Sequence, residues 1–87
     1  MKILYLSKFK RGYRKLPKKV KNKAEEKEKI FRKDPFDKRL QTHKLHGRLN
    51  DYMAFSIGYD YRIIFDFKNG NKNIVRFYLV GKHDDLY

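Results

Sequence analysis

Four side chains stand out as suited to chemistry: His43, His46 and His83, and Arg62 inside an apolar stretch. Imidazole changes charge near neutral pH, so it can take or give a proton there. All three histidines fall outside the segments with helical or strand periodicity, where working side chains tend to be carried on a rigid frame. By composition alone, three histidines in 87 residues are ordinary usage, each merely solvated. A metal site is a further reading. His43 and His46 are spaced i, i+3, and His83 with Asp84 or Asp85 would complete a set. The sequence has no cysteine, which excludes thiolate nucleophiles, zinc knuckles and disulfides, and no expected helix carries a ligand pair. Arg62 sits in the alternating run Tyr61-Arg62-Ile63-Ile64-Phe65, so it shares a face with Ile64 and opposes Tyr61, Ile63 and Phe65. A guanidinium there needs an anionic partner or an open face, and its planar fork suits phosphate. The bland alternative is a solvent-facing arginine paired with Asp66.

The elements that must position these groups are legible in outline. Residues 2–6 predict a short strand, and Ser7 is a candidate helix N-cap. Phe9, Tyr13 and Leu16 recur at i, i+4 and i+7, one face of a short helix. Pro17 suits the start of a second helix over 17–33, whose apolar face is Val20, Ala24, Ile30 and Phe31. Asp34-Pro35 ends it. Residues 37–50 read as a polar connector pinned by Leu40, Leu45 and Leu49. Strands follow over 52–57, 61–67 and 74–80; Lys68-Asn69-Gly70-Asn71 marks a hairpin turn, and residues 81–87 form a short tail. The expected class is α+β, order β-α-α-β-β-β, with two N-terminal helices packed on a small antiparallel sheet.

The charge is uneven. Of 23 Lys and Arg and 10 Asp and Glu, residues 1–50 hold 18 and 5, whereas residues 51–87 hold 5 of each. Nine of the 14 aromatics lie in that neutral second part. The length fits one small domain over residues 1–87, closed by aromatic packing. A net charge of +13 points to a polyanionic partner. Lys18, Lys19 and Lys23 belong to an intensely basic helix whose cations outnumber Glu25, Glu26 and Glu28; its bland reading is a solvated face. Its apolar stripe is too thin for a membrane surface. The opening apolar run Ile3-Leu4-Tyr5-Leu6 is four residues long, far short of the about 20 of a membrane span. A soluble cytoplasmic protein is expected.

Three motifs in order carry a resemblance. The connector His43-Lys44-Leu45-His46-Gly47, the strand Asp60-Tyr61-Arg62-Ile63-Ile64-Phe65 and the ending Gly81-Lys82-His83-Asp84-Asp85-Leu86-Tyr87 together resemble the RelE/ParE superfamily of toxins. The nearest branch looks like the YafQ-type ribosome-dependent mRNA interferases, and the resemblance runs nearly end to end. It implies a microbial-RNase-like fold and RNA cleavage without metal or cofactor. The 2′-hydroxyl attacks the adjacent phosphate, leaving a 2′,3′-cyclic phosphate and a 5′-hydroxyl. By that resemblance His43 and His83 fall on the family's histidines and Asp60 on its acid. Arg62 would clamp the phosphate, and Tyr87 would stack on a base or orient the phosphate. Lys18, Lys19, Lys23, Lys44, Arg48 and Lys82 would bind RNA.

The resemblance also implies partners: an acidic antitoxin, the ribosome with its mRNA, and operator DNA reached through the antitoxin complex. One position departs from the branch. Ser56 stands where a histidine is expected, and a hydroxyl does not transfer protons near neutral pH as imidazole does. His46 is the candidate substitute base. Two other readings remain open at this point: a ParE-like gyrase inhibitor without nuclease activity, and a degenerate module that binds RNA or antitoxin without cutting.

Overall fold

The chain opens with strand β1 (Lys2–Tyr5), followed by helices α1 (Ser7–Arg14) and α2 (Lys18–Lys33). The structure, a computed structural model, describes residues 1–86. After a 3-10 turn at Lys38–Leu40 come β2 (His43–Lys44), a second 3-10 turn at Gly47–Leu49, β3 (Met53–Ser56), β4 (Tyr61–Phe67), β5 (Ile74–Lys82) and α3 (His83–Leu86). They build one five-stranded sheet in the order β1-β5-β4-β3-β2.

This is the expected α+β fold, with two elements that the polar connector and tail concealed. β2 exists through its antiparallel pairing with β3, His43 opposite Ala54 and Lys44 opposite Met53. Two exposed residues carry no alternation by which to be found. β1 runs parallel to β5, so the sheet is mixed rather than wholly antiparallel. The two intervening helices supply the crossover a parallel pair requires. Ser7 is not a cap. The Leu6 N–H donates to the Phe77 carbonyl at 3.1 Å, which keeps the chain extended through Leu6 and leaves Ser7 as the first helical residue.

α1 and α2 cover one sheet face. Phe9, Leu16, Ala24 and Phe31 bury there against Phe55, Ile57, Ile63, Phe65 and Phe77. Phe31 stacks on Phe55 at 4.8 Å and meets Phe65 edge-on at 4.9 Å, an arrangement that adds to the area term. The opposite face carries a smaller cluster, Leu45, Ala54 and Ile64, with Tyr52, Tyr78, Leu79 and Leu86 packed on it. A bulge shapes this face. Ile64 pairs with Leu79 but Phe65 with Phe77, so Tyr78 is the extra residue. Asn69 (φ 52°) and Gly70 (φ 74°) adopt the left-handed conformations that their dipeptide foretold.

Candidate active site

Arg62 lies on β4 opposite Ser56 of β3 and Gly81 of β5. That row faces away from α1 and α2, as the alternation with Ile64 requires. The guanidinium is half-buried. Its Nη1 reaches the Tyr61 carbonyl only at 3.5 Å. Its Nε is fully buried and, among the described residues, is the one buried side-chain nitrogen or oxygen without a hydrogen-bond partner. A buried donor left unmade costs about 1–3 kcal/mol. No protein group among the described residues offsets that cost at Arg62.

Arg62, Asp60, Lys82 and His83 line one cleft of about 370 Å³, together with Tyr59 and Asp84. The cleft is assembled by backbone: the His83 N–H donates to the Asp60 carbonyl at 2.7 Å, which ties the start of α3 to the β3–β4 turn. Asp60, Lys82 and His83 are exposed. The short helix α3 closes over the same face, with Leu86 against Gly81.

His43 is not a wall of this cleft. It sits on β2 beside Ala54, on the same sheet face as Arg62 but two strands away, on the order of 10 Å at the strand spacing of a sheet. His46 is exposed and immediately precedes the Gly47–Leu49 turn. Ser56 is buried, and its Oγ donates to Gln41 Oε1 at 3.2 Å. Gln41 in turn places its carbonyl 3.0 Å from His43 Nδ1. Upstream, Asp37 accepts from the Arg39 N–H at 2.9 Å and from its guanidinium at 3.0 Å. Those bonds lower the Asp37 carboxyl to about 2 and fix the turn that delivers Gln41. Tyr87 lies outside the described residues.

The candidate RNA-binding cations divide between two surfaces. Lys44 and Arg48 flank His43, and Lys82 lines the cleft. Lys18, Lys19 and Lys23 are exposed on α2, in the helical layer on the other side of the sheet. Lys23 shares Glu26 at 3.7 Å. Among the described residues no group of three or more His, Cys, Asp or Glu converges as a metal site would require. Two larger grooves, of about 440 and 410 Å³, run beside α1 and beside Tyr52 and Tyr78, and neither contains a histidine.

Two residues of the region were not singled out from the sequence. Tyr59, 97% exposed at the cleft rim, read only as a turn residue. The signal was an aromatic in a turn with no core to join. Gln41 read as connector, and only its left-handed backbone (φ 53°) and two bonds give it a role.

The family described as bacterial toxin of type II toxin–antitoxin system, YafQ, matches residues 1–87. The chain belongs to the YafQ toxin family. The fold agrees. The crystal structure of YafQ from E. coli superposes with a TM-score of 0.79 at 19% identity, covering 98% of this chain and 96% of that one. YafQ in the E. coli DinJ–YafQ toxin–antitoxin complex gives 0.77 at 20% identity, covering 98% and 94%. The archaeal RelE–RelB complex of Pyrococcus horikoshii gives 0.72 at 19% identity, covering 93% and 92%. No curated protein matches the sequence significantly. No helix of this YafQ-family toxin, among its described residues, is long and apolar enough to cross a membrane.

Proposed function

We propose that this YafQ-family toxin is a ribosome-dependent mRNA endoribonuclease that cuts by attack of a 2′-hydroxyl on the adjacent phosphate. The observation that carries the reading is Arg62, which lines a cleft with Asp60, Lys82 and His83 and whose guanidinium, its Nε buried and unpartnered, has no anion from the protein. In the reaction one proton leaves the 2′-oxygen, the O–P bond forms, and the 5′-oxygen of the next nucleotide departs with a proton. The products are a 2′,3′-cyclic phosphate and a 5′-hydroxyl. Arg62 and Lys82 stabilise the doubly charged phosphorane, the step at which positive charge counts most. His43 and His83 are the proton carriers, and Asp60 adds a carboxylate beside His83. Tyr59 at the rim offers an aromatic face to a flanking base, and the family resemblance gives Tyr87 the same role. His46 stands in reserve as a second imidazole beside His43.

The net charge of +13 supports an acidic antitoxin as the controlling partner. E. coli YafQ is held by DinJ, and archaeal RelE by RelB, in solved complexes. By the same reading the toxin works on mRNA in the cytoplasmic ribosome, and the toxin–antitoxin complex reaches operator DNA through the antitoxin.

In vitro translation followed by primer extension tests this. The toxin is expected to give discrete cuts in mRNA only when ribosomes are present, and His83→Ala is expected to lose them. Trapped gyrase–DNA complexes without RNA cuts would transfer the protein to the gyrase inhibitors. Equal cutting by wild type and His83→Ala would remove His83 from the chemistry.

A further inference from the structure

We propose that Gln41 is a positioning residue that fixes the tautomer of His43 and thereby makes that histidine the base. The inference rests on the nuclease reading for its consequence, though not for its geometry.

A carbonyl oxygen only accepts hydrogen bonds. The 3.0 Å contact between His43 Nδ1 and the Gln41 carbonyl therefore places the proton of the neutral ring on Nδ1. Nε2 is left with its lone pair, the form in which imidazole receives a proton. Gln41 can aim its carbonyl this way because its backbone is left-handed (φ 53°, ψ 40°), a conformation that glutamine rarely adopts. Two bonds hold it there. Its N–H donates to the Lys38 carbonyl at 3.2 Å, closing the 3-10 turn. Its side-chain Oε1 accepts from Ser56 Oγ at 3.2 Å. Ser56 is itself buried in β3, opposite Arg62. A chain of contacts thus runs from the strand row that carries the phosphate clamp, through Ser56 and Gln41, to the ring of His43. The hydroxyl at position 56 need not move a proton; it holds the residue that orients one.

Nitrogen-15 NMR of the histidine rings reads the tautomer directly. The whole toxin should show neutral His43 protonated on Nδ1. Gln41→Gly keeps the carbonyl and relieves the left-handed strain, so it should melt no lower than wild type while mixing the two tautomers. Ser56→Ala should mix them in the same way. In ribosome-dependent cleavage each variant should lower kcat by about three- to tenfold, the worth of one hydrogen bond, with KM unchanged. The double variant should lose no more than either single one. His43 protonated on Nε2 in wild type, or a tautomer indifferent to both substitutions, would overturn the proposal. The expected tautomers in a toxin that cuts no RNA would instead sink the nuclease reading and leave Gln41 as a clamp without a reaction.

Discussion

A buried arginine nitrogen without an acceptor is the residue-scale feature on which the proposed function turns. Folding gains nothing from the Nε of Arg62, because water is stripped from it and no protein group replaces that water. Stability and activity should therefore separate at this position. Arg62→Met keeps the methylene stem against Ile64 and the sheet but removes the orphan donor, so its melting temperature should equal or exceed that of wild type. Its cleavage rate should fall on the order of 100-fold, as when one preorganised donor to a developing charge is removed. Arg62→Lys should recover little, since an ammonium does not offer the planar fork. A Met variant that melts well below wild type would mean that Arg62 is a structural cation, and unchanged cutting would remove it from the site. The contrast with Arg76 is instructive. That guanidinium grips Asp66 with two bonds of 2.8 and 2.7 Å, and so has its anion already. Both arginines look alike in the sequence, each flanked by apolar residues on a strand. Only the register, which sets Asp66 opposite Arg76 and Gly81 opposite Arg62, tells them apart.

At the scale of elements, helix α1 shows where propensity and packing conflict. Gly12 lies inside it, and replacing a helix-interior glycine by alanine ordinarily gains up to about 1 kcal/mol. Here a Cβ would stand 2.8 Å from the Val80 carbonyl oxygen and 3.3 Å from its Cγ1. A backbone oxygen inside a sheet does not swing aside, so overpacking wins, and Gly12→Ala should lower stability by about 1–2 kcal/mol in urea unfolding. A gain would show that α1 shifts freely on β5. That close approach was invisible beforehand, whereas the helix itself was plain from Phe9 and Tyr13; Leu16, expected on the same face, lies past the helix end and is buried in the core. The same division runs through the fold. Strands β3 to β5 announced themselves by alternation and by Asn69-Gly70, because those signals are local. β2 and α3 did not, because two polar residues, and three polar residues before Leu86, become elements only through what they pair with. The bulge at Tyr78 adds one residue without altering the apolar pattern, so nothing local marks it. The site inherits this limit. Arg62 and His83 stood out by residue type and Asp60 through the family resemblance, but that they share a cleft follows from the long-range bond between His83 and Asp60.

Over the whole molecule, the charge that divides cleanly along the sequence divides differently in space. The positive excess of residues 1–50 is shared between the helical layer and the connector that carries His43, whose first turn touches α2 through Lys27 and the Arg39 carbonyl. Lys18, Lys19 and Lys23 are exposed on α2 and are not among the residues that line the cleft with Arg62. If these lysines act, they act by drawing the toxin to a large polyanion and not by touching the reacting phosphate. Binding and cutting should then respond to different substitutions. Changing Lys18, Lys19 and Lys23 together to Gln should weaken ribosome association and flatten its salt dependence, by about 0.7 in log–log slope for each phosphate no longer neutralised. The single-turnover cleavage rate of the bound complex should stay as in wild type. Lys82→Gln, whose cation lines the cleft, should show the reverse: association little changed and cleavage slowed. A triple variant that cuts slowly once bound would place the α2 lysines at the reacting RNA. One that binds with an unchanged salt slope would reduce them to a solvated face, with the attraction to RNA resting on Lys44, Arg48 and Lys82.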